Sequence, residues 1–319
     1  MSEGRLYGYV RQKAMINELI RIGPVKLKDE PLLRGKVIIK RGKLTVSVSD
    51  VLKLRSLDEN IGLNTSTYRL FDGLMLWYTE HNGDAKILLN LRDYMSMCGN
   101  SDVKEARRKV KINLELLKVL CISYNETGKK SNNCNNLKLF DEALIKNSII
   151  QVTLSTSFSE FMSKSYPMPF PLSLFRIKSD KYPNGYYILR KMAEHKNMNF
   201  GKPNENTISV KTLLGASPRL PSSEEVRSSQ NHSIHRRIFL PFYRDLEYAC
   251  EAVKLSDFYL TYKGDRIDDA PDGLKNFSFE DFISDIYIHL PSSWPCYPDR
   301  TIRSPQQRRT AKASVKKGE

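Results

Sequence analysis

Residues 101–130 read SDVKEARRKV KINLELLKVL CISYNETGKK, and the spacing within this stretch decides how the chain around it is organised. Val103, Ala106, Val110, Leu114, Leu117 and Leu120 recur at intervals of three and four, which places them on one face of a helix. Lys104, Arg107, Arg108, Lys111 and Lys118 fall mostly on the other side. A basic helix face ordinarily contacts only water, so this one gains meaning from its neighbours. Just upstream, LRDYMSMCGN reads as a compact helix closed by Gly99. The tight junction CGNSD between the two fits a helix-turn-helix, with Ser101 or Asp102 placed to cap the second helix.

Working outward, NTSTYRLFDGLMLWYTEHN predicts a helix with Leu70, Leu74 and Trp77 or Tyr78 inside, and AKILLN predicts a short strand. Downstream, VLCISYNE and NSIIQVTLS are strand-like; between them lie the polar loop TGKKSNNCNN and a long excursion, LKLFDEALIKN. Helix, strand, helix, helix, strand, loop, strand is the winged-helix order, with Lys129 and Lys130 carried on the wing. This first domain is expected over residues 61–160, and the Pro-rich stretch within 161–183 is expected to be a linker.

The order recurs over residues 184–298. NGYYILRKMAEHKNMN predicts a helix, NTIS a strand, VKTLLGA a short helix, and SIHRRIFLPFYRDLEYAC a long one with Ile234, Ile238, Phe242, Leu246 and Ala249 or Cys250 inside. Pro241 lies within that last helix, where it removes an amide donor and crowds the carbonyl four residues back. Ser222 and Glu225 have capping-box spacing, so the helix is expected to start near 222 and bend at 241. FYLTYKGDRI and DIYIHLP are expected to form the second wing, with Lys263 and Arg266 near its tip. Residues 268–282 are acidic and turn-rich, a poor surface for DNA.

Composition narrows the partner. The 319 residues carry 51 Lys and Arg against 36 Asp and Glu, a net charge of +15, which points to a polyanion and first of all to nucleic acid. No apolar run approaches the roughly 18 residues of a membrane span, and MSEGRLYGYV RQK lacks the apolar core of a signal peptide, so a cytoplasmic protein with no membrane partner is expected. Cys98, Cys121, Cys134, Cys250 and Cys296 form no CxxC pair, and His232 and His235 have no neighbouring ligands; no metal or cofactor is expected. Residues 1–60 are expected to be a separate leading element, a short helix over INELIRIG and a hairpin over KVIIKRGKLTVSVS with a basic tip at Lys40, Arg41 and Lys43. The basic tail at 299–319 has too few apolar residues to build a core and is expected to be disordered.

The expected fold is therefore α+β, with two tandem winged-helix domains behind an N-terminal hairpin. A third helix in the major groove would present Ser101, Lys104, Arg107, Arg108 and Lys111 in the first unit, and Ser233, His235, Arg236, Arg237 and Arg244 in the second. Arginine suits bidentate recognition of guanine, and lysine more often neutralises phosphate.

Two such units, the second containing RRIFLPFYRDLEY, resemble the theta-type replication initiators of plasmids and some phages over roughly residues 65–295. The resemblance implies binding to repeated sites in double-stranded origin DNA, opening of the duplex, and recruitment of host helicase or initiator machinery, without chemistry by the protein itself. It also implies exchange between homodimers and origin-binding monomers, with a dimer contact through the first unit. HSIH lacks the spacing of a rolling-circle metal site, and ETGKKS lacks the first glycine of a phosphate loop, so an enzyme is not expected. A winged-helix transcriptional regulator is the alternative, because the same fold serves both tasks.

Overall fold

The computed structural model describes residues 6–127, 133–165, 167–228 and 233–294. Helices and strands are mixed along the whole of it. The first part runs β1 (Tyr7–Arg11), α1 (Ala14–Arg21), β2 (Val25–Lys26), β3 (Leu32–Leu33), β4 (Lys36–Arg41), β5 (Leu44–Val48), α2 (Val51–Leu57) and β6 (Gly62–Leu63). There follow α3 (Thr65–Glu80), β7 (Lys86–Asn90), α4 (Leu91–Cys98), α5 (Val103–Lys118), β8 (Leu120–Tyr124), β9 (Cys134–Lys138), β10 (Phe140–Lys146), β11 (Ile149–Leu154), α6 (Thr156–Ser163) and β12 (Pro167–Pro171). The last part comprises α7 (Gly185–Met198), β13 (Thr207–Ser209), α8 (Val210–Leu214), α9 (Ser223–Ser228), α10 (Leu240–Glu251), β14 (Tyr259–Tyr262), β15 (Asp265–Ile267), α11 (Phe279–Ser284) and β16 (Ile286–His289).

The leading hairpin is not a separate element. Leu44, Val46 and Val48 alternate inward as the sequence predicts, but β5 also pairs antiparallel with β8, joining a five-stranded sheet of order β3-β4-β5-β8-β9. That pairing corrects the expected wing. β8 and β9 flank the loop carrying Lys129 and Lys130, and they belong to this sheet rather than to the one containing β7. Lys129 and Lys130 themselves lie outside the described residues.

The strands that do pair with β7 come from the excursion. β10 and β11 form a hairpin turned by Asn147 and Ser148, both at positive φ, and the sheet order is β10-β11-β7. A register shift between Phe140 and Glu142 breaks the alternation of β10, which is why its strand period was hidden in the sequence.

The Pro-rich segment is packed rather than free. Pro167, Pro169 and Pro171 stand at every second position of β12, opposite Arg11, Tyr9 and Tyr7 of β1. Successive residues point their backbone donors to opposite sides, so the three missing donors, two positions apart, fall on one side and the β1 ladder survives. Met168 and Phe170 are buried, as are Leu174, Phe175 and Ile177 in the 3-10 turn (Leu172–Arg176) and just beyond it. The segment read as a linker thus carries core, and buried residues from Val10 to Trp294 join in one continuous apolar cluster.

In the last part the sheet order is β13-β16-β14-β15. β14 and β16 pair as expected, across an insert that holds β15 and α11. The helix expected to run from 222 through 250 is divided. Ser222 and Glu225 make the reciprocal cap, at 2.7 and 3.2 Å, of α9 (Ser223–Ser228); residues 229–232 lie outside the described residues, and Ser233 is not helical. Downstream, His235–Phe239 is a π-helical turn leading directly into α10, with the Leu240 amide bonded to the His235 carbonyl. Pro241 therefore sits in the first turn of α10, where its missing donor costs least, and the wider π turn takes up the irregularity. The tail at 299–319 lies outside the described residues.

Candidate nucleic-acid interface

α5 is seated by its buried side. Asp102 caps it, accepting from the Glu105 amide at 3.0 Å, and Ser101 stands exposed just before the cap. Ala106, Val110, Leu114, Leu116 and Leu117 are buried, and Asn113 locks the helix to α3 by accepting from Thr67 Oγ1 and donating to Ser66 Oγ, both at 3.0 Å. Val103 departs from the expected inner face: it is 49% exposed, because the first turn projects beyond the core. Leu120 is buried in β8 rather than on the helix. Lys118 is half-buried.

Lys104, Arg107, Arg108 and Lys111 are all exposed, and their spacing puts them along one side of α5. Their surroundings differ. Arg108 is engaged by Glu105, through Nε at 2.8 Å, and by Asp58 of the loop after α2 at 3.1 Å. The Arg108 guanidinium holds the Glu105 carboxyl down to about 2 despite its exposure. Arg107 donates from Nη2 to Ser148 Oγ at 2.8 Å, which ties the helix to the β10–β11 turn. Lys104 and Lys111 have no acidic partner within ion-pair distance among the described residues. Two further cations went unnoticed in the sequence: Lys109, paired with Glu105 at 3.3 Å, and Lys146, exposed beside the turn. The signal for Lys146 was the Asn147-Ser148 pair between two apolar runs, which is hairpin chemistry.

In the second unit Ser233, Arg236 and Arg237 are exposed and His235 is half-buried. Ile238, Phe239, Phe242 and Leu246 anchor the segment, with the Phe239 and Phe242 rings 4.0 and 5.7 Å from that of Phe282 on α11. Arg236 and Arg237 have no acidic partner among the described residues. Arg244 is committed elsewhere: its Nη2 lies 2.9 Å from Asp245 Oδ1 and its guanidinium 5.8 Å from the Tyr182 ring. Lys263, in the turn after β14, stands over the Tyr262 ring at 5.0 Å, and Arg266 over Tyr259 at 5.0 Å.

The acidic stretch read as a poor surface for DNA reaches the His235 segment. His235 Nε2 is 3.4 Å from the Pro271 carbonyl, and the Asp272 carboxyl is held low by Lys275 first and, more weakly, by His235. Among the described residues there is no cluster of three or more potential metal ligands, and no helix is long and apolar enough to cross a membrane.

No protein-family model matches the chain, and no curated protein matches it. Among solved structures it is similar to the crystal structure of Pi initiator protein in complex with iteron DNA, at 9% identity and a TM-score of 0.46, over 80% of this chain and 100% of that one. It is also similar to the crystal structure of selenomethionine derivatives of domain 2 and domain 3 of RctB, at 9% identity and a TM-score of 0.49, over 85% and 95%. Identities this low align no site residues.

Proposed function

We propose that the chain is a sequence-specific double-stranded DNA-binding protein that initiates replication at an origin, reading the duplex with two winged-helix units and performing no chemistry of its own. One observation carries the reading: a helix, strand, helix, helix plan occurs twice, and each copy is closed by a sheet of the same order. α3, β7, α4 and α5 lead, past β8 and β9, to β7-β11-β10; α7, β13, α8 and, past α9, the 235–251 helix lead to β13-β16-β14, with β15 added at its edge. In both copies the helix before the sheet turns exposed cations outward, Lys104, Arg107 and Lys111 in one and Arg236 and Arg237 in the other. Two heads in one chain suit adjacent or repeated sites, the architecture an initiator needs. Two unequal units in one chain support the initiator reading over a regulator, since a regulator more often obtains two heads by dimerising one, and RRIFLPFYRDLEY in the second unit is the motif that carries the resemblance to initiators.

The wing contacts are Lys146 in the first unit and Lys263 and Arg266 in the second. Opening of the duplex, recruitment of host helicase machinery and homodimer exchange belong to the same reading.

Binding to duplex fragments at several salt concentrations tests the DNA contact. The logarithm of affinity should fall with the logarithm of salt at a slope near −0.9 per neutralised phosphate, with about six to ten phosphates engaged. A salt-independent affinity defeats the proposal. Propagation of a minimal replicon holding only this gene and its flanking DNA tests initiation, and footprinted DNA that supports repression but no propagation would favour the regulator.

A further inference from the structure

Asp72, in the middle of α3, is completely buried, and it faces the other unit. Its Oδ2 accepts from Tyr186 Oη at 2.5 Å and from Arg190 Nε at 3.1 Å, both on α7, and its Oδ1 accepts from Arg190 Nη2 at 3.2 Å. The rest of the Arg190 fork reaches the N-terminal element, donating to Asn17 Oδ1 on α1 at 2.9 Å and to Gln12 Oε1 at 3.1 Å. Burial and then the Asp72 charge push the Tyr186 hydroxyl well above the usual tyrosine range, so it stays protonated and donates.

Burying a charge pair is an expensive way to hold two helices together, and apolar side chains of similar volume usually do it as well or better. What a planar guanidinium on a carboxylate adds is direction: apolar surfaces slide over one another, whereas a bidentate fork fits one orientation. The same device recurs on either side. Asn113 joins α5 to α3 through Thr67 and Ser66, and Asp245 joins α10 to α7 by accepting from Asn184 N and Nδ2 at 2.9 and 3.0 Å. Asn113, Thr67, Asp72, Arg190, Asn184 and Asp245 are all buried. A chain of polar joints thus runs α5, α3, α7, α10, from one reading helix to the other.

We infer that the Asp72–Arg190–Tyr186 joint is a positioning device that fixes the relative register of the two reading heads, and so makes the protein selective for the spacing between the two DNA segments it contacts. The inference rests on the two-headed reading above. A rigid link gives the second head a high effective concentration at one spacing and almost none at others; a loose link tolerates several. Each added base pair displaces one segment by about 3.4 Å and rotates it by about one tenth of a turn, far more than a fixed fork allows.

The experiment uses the full chain and duplexes in which the two footprinted segments are separated by one, two or five extra base pairs. The wild type should lose about tenfold or more in affinity at one or two extra pairs, as one head disengages. A double variant, Asp72→Leu with Arg190→Met, keeps apolar packing on both sides and should bind all spacings within about threefold, with each isolated segment bound as before. If that variant does not fold, Arg190→Lys keeps the charge without the fork and should flatten the profile in the same direction. A folded variant of either kind that retains the wild-type spacing profile overturns the inference. So does a wild type indifferent to spacing, although the functional reading then stands. A wild type that binds no duplex at all overturns both.

Discussion

The two units build the same sheet order from opposite local solutions. In the first, β10 and β11 are joined by two residues, α5 is a continuous 16-residue helix, and the arginines at its exposed side are braced, Arg107 by Ser148 and Arg108 by Glu105 and Asp58. In the second, β14 and β16 are separated by an insert with its own strand and helix, the 235–251 segment begins as a π turn, and Arg236 and Arg237 have no bracing partner among the described residues. A braced arginine has already surrendered part of its conformational entropy, and Arg108, held by two carboxylates, also shares its charge with them. An unbraced one keeps its whole charge and pays for ordering at the moment of binding. On the proposed reading, the first unit would hold a fixed surface against phosphate through Lys104 and Lys111, and the second would offer the freer arginines to base edges.

The largest expected effect that tests this contrast is on stability. Asp245→Ala removes the acceptor for two buried donors of Asn184 and should cost about 3 kcal/mol, measured by urea unfolding. Asn113→Ala breaks two neutral contacts in the first unit and should cost less, about 1–2 kcal/mol. Equal losses would show that the two reading helices are seated with equal force.

Next in size are the arginines. Arg236→Ala should cost about 1–3 kcal/mol of specific affinity and blur preference at particular base pairs, as read from a panel of mutated sites. Arg107→Ala should cost less and more evenly across sequences, because that side chain is already bonded to Ser148. The opposite ranking would reverse the division of labour. Pro241→Ala restores a backbone donor where the π turn passes into α10, and should leave the melting temperature unchanged or slightly raised while weakening specific binding through misaimed Arg236 and Arg237. Early unfolding with normal binding once folded would assign Pro241 to packing alone.

The smallest effect is pH dependence in the first unit. Glu105 has a folded pKa of about 2 against an ordinary 4.5, so its pairing with Arg108 stabilises fully above 4.5 and is lost as pH falls through about 2. Both side chains are exposed, so the contribution is screened and small, and salt should reduce it further. An NMR titration of the Glu105 carboxyl should show the depressed midpoint, and Arg108→Ala should return it toward 4.5.

Much of this was legible in one dimension. The three-and-four spacing of Ala106, Val110, Leu114 and Leu117 determined that 103–118 is a helix and which residues face out, because a helix must bury its apolar stripe whatever it packs against. Asp102 as the cap and Gly99, at φ +67, as the left-handed stop were equally local. So was the second order of helix, strand, helix, helix, and so were the exposed cations in both copies.

What remained out of reach was pairing and partnership. Whether β8 joins β5 or β11 depends on which edge comes within hydrogen-bonding distance, and an alternating strand is equally able to join either. The Pro-rich segment looked like a linker because three prolines in five residues usually prevent pairing; only β1, lying on the side where no donor is missing, makes it a strand. Asp72 and Arg190 are 118 positions apart, and nothing local to either announces the other. Periodicity is a property of the chain and is written in its order. The choice among possible partners is a property of the folded whole, settled by which combination leaves the fewest polar groups buried without one.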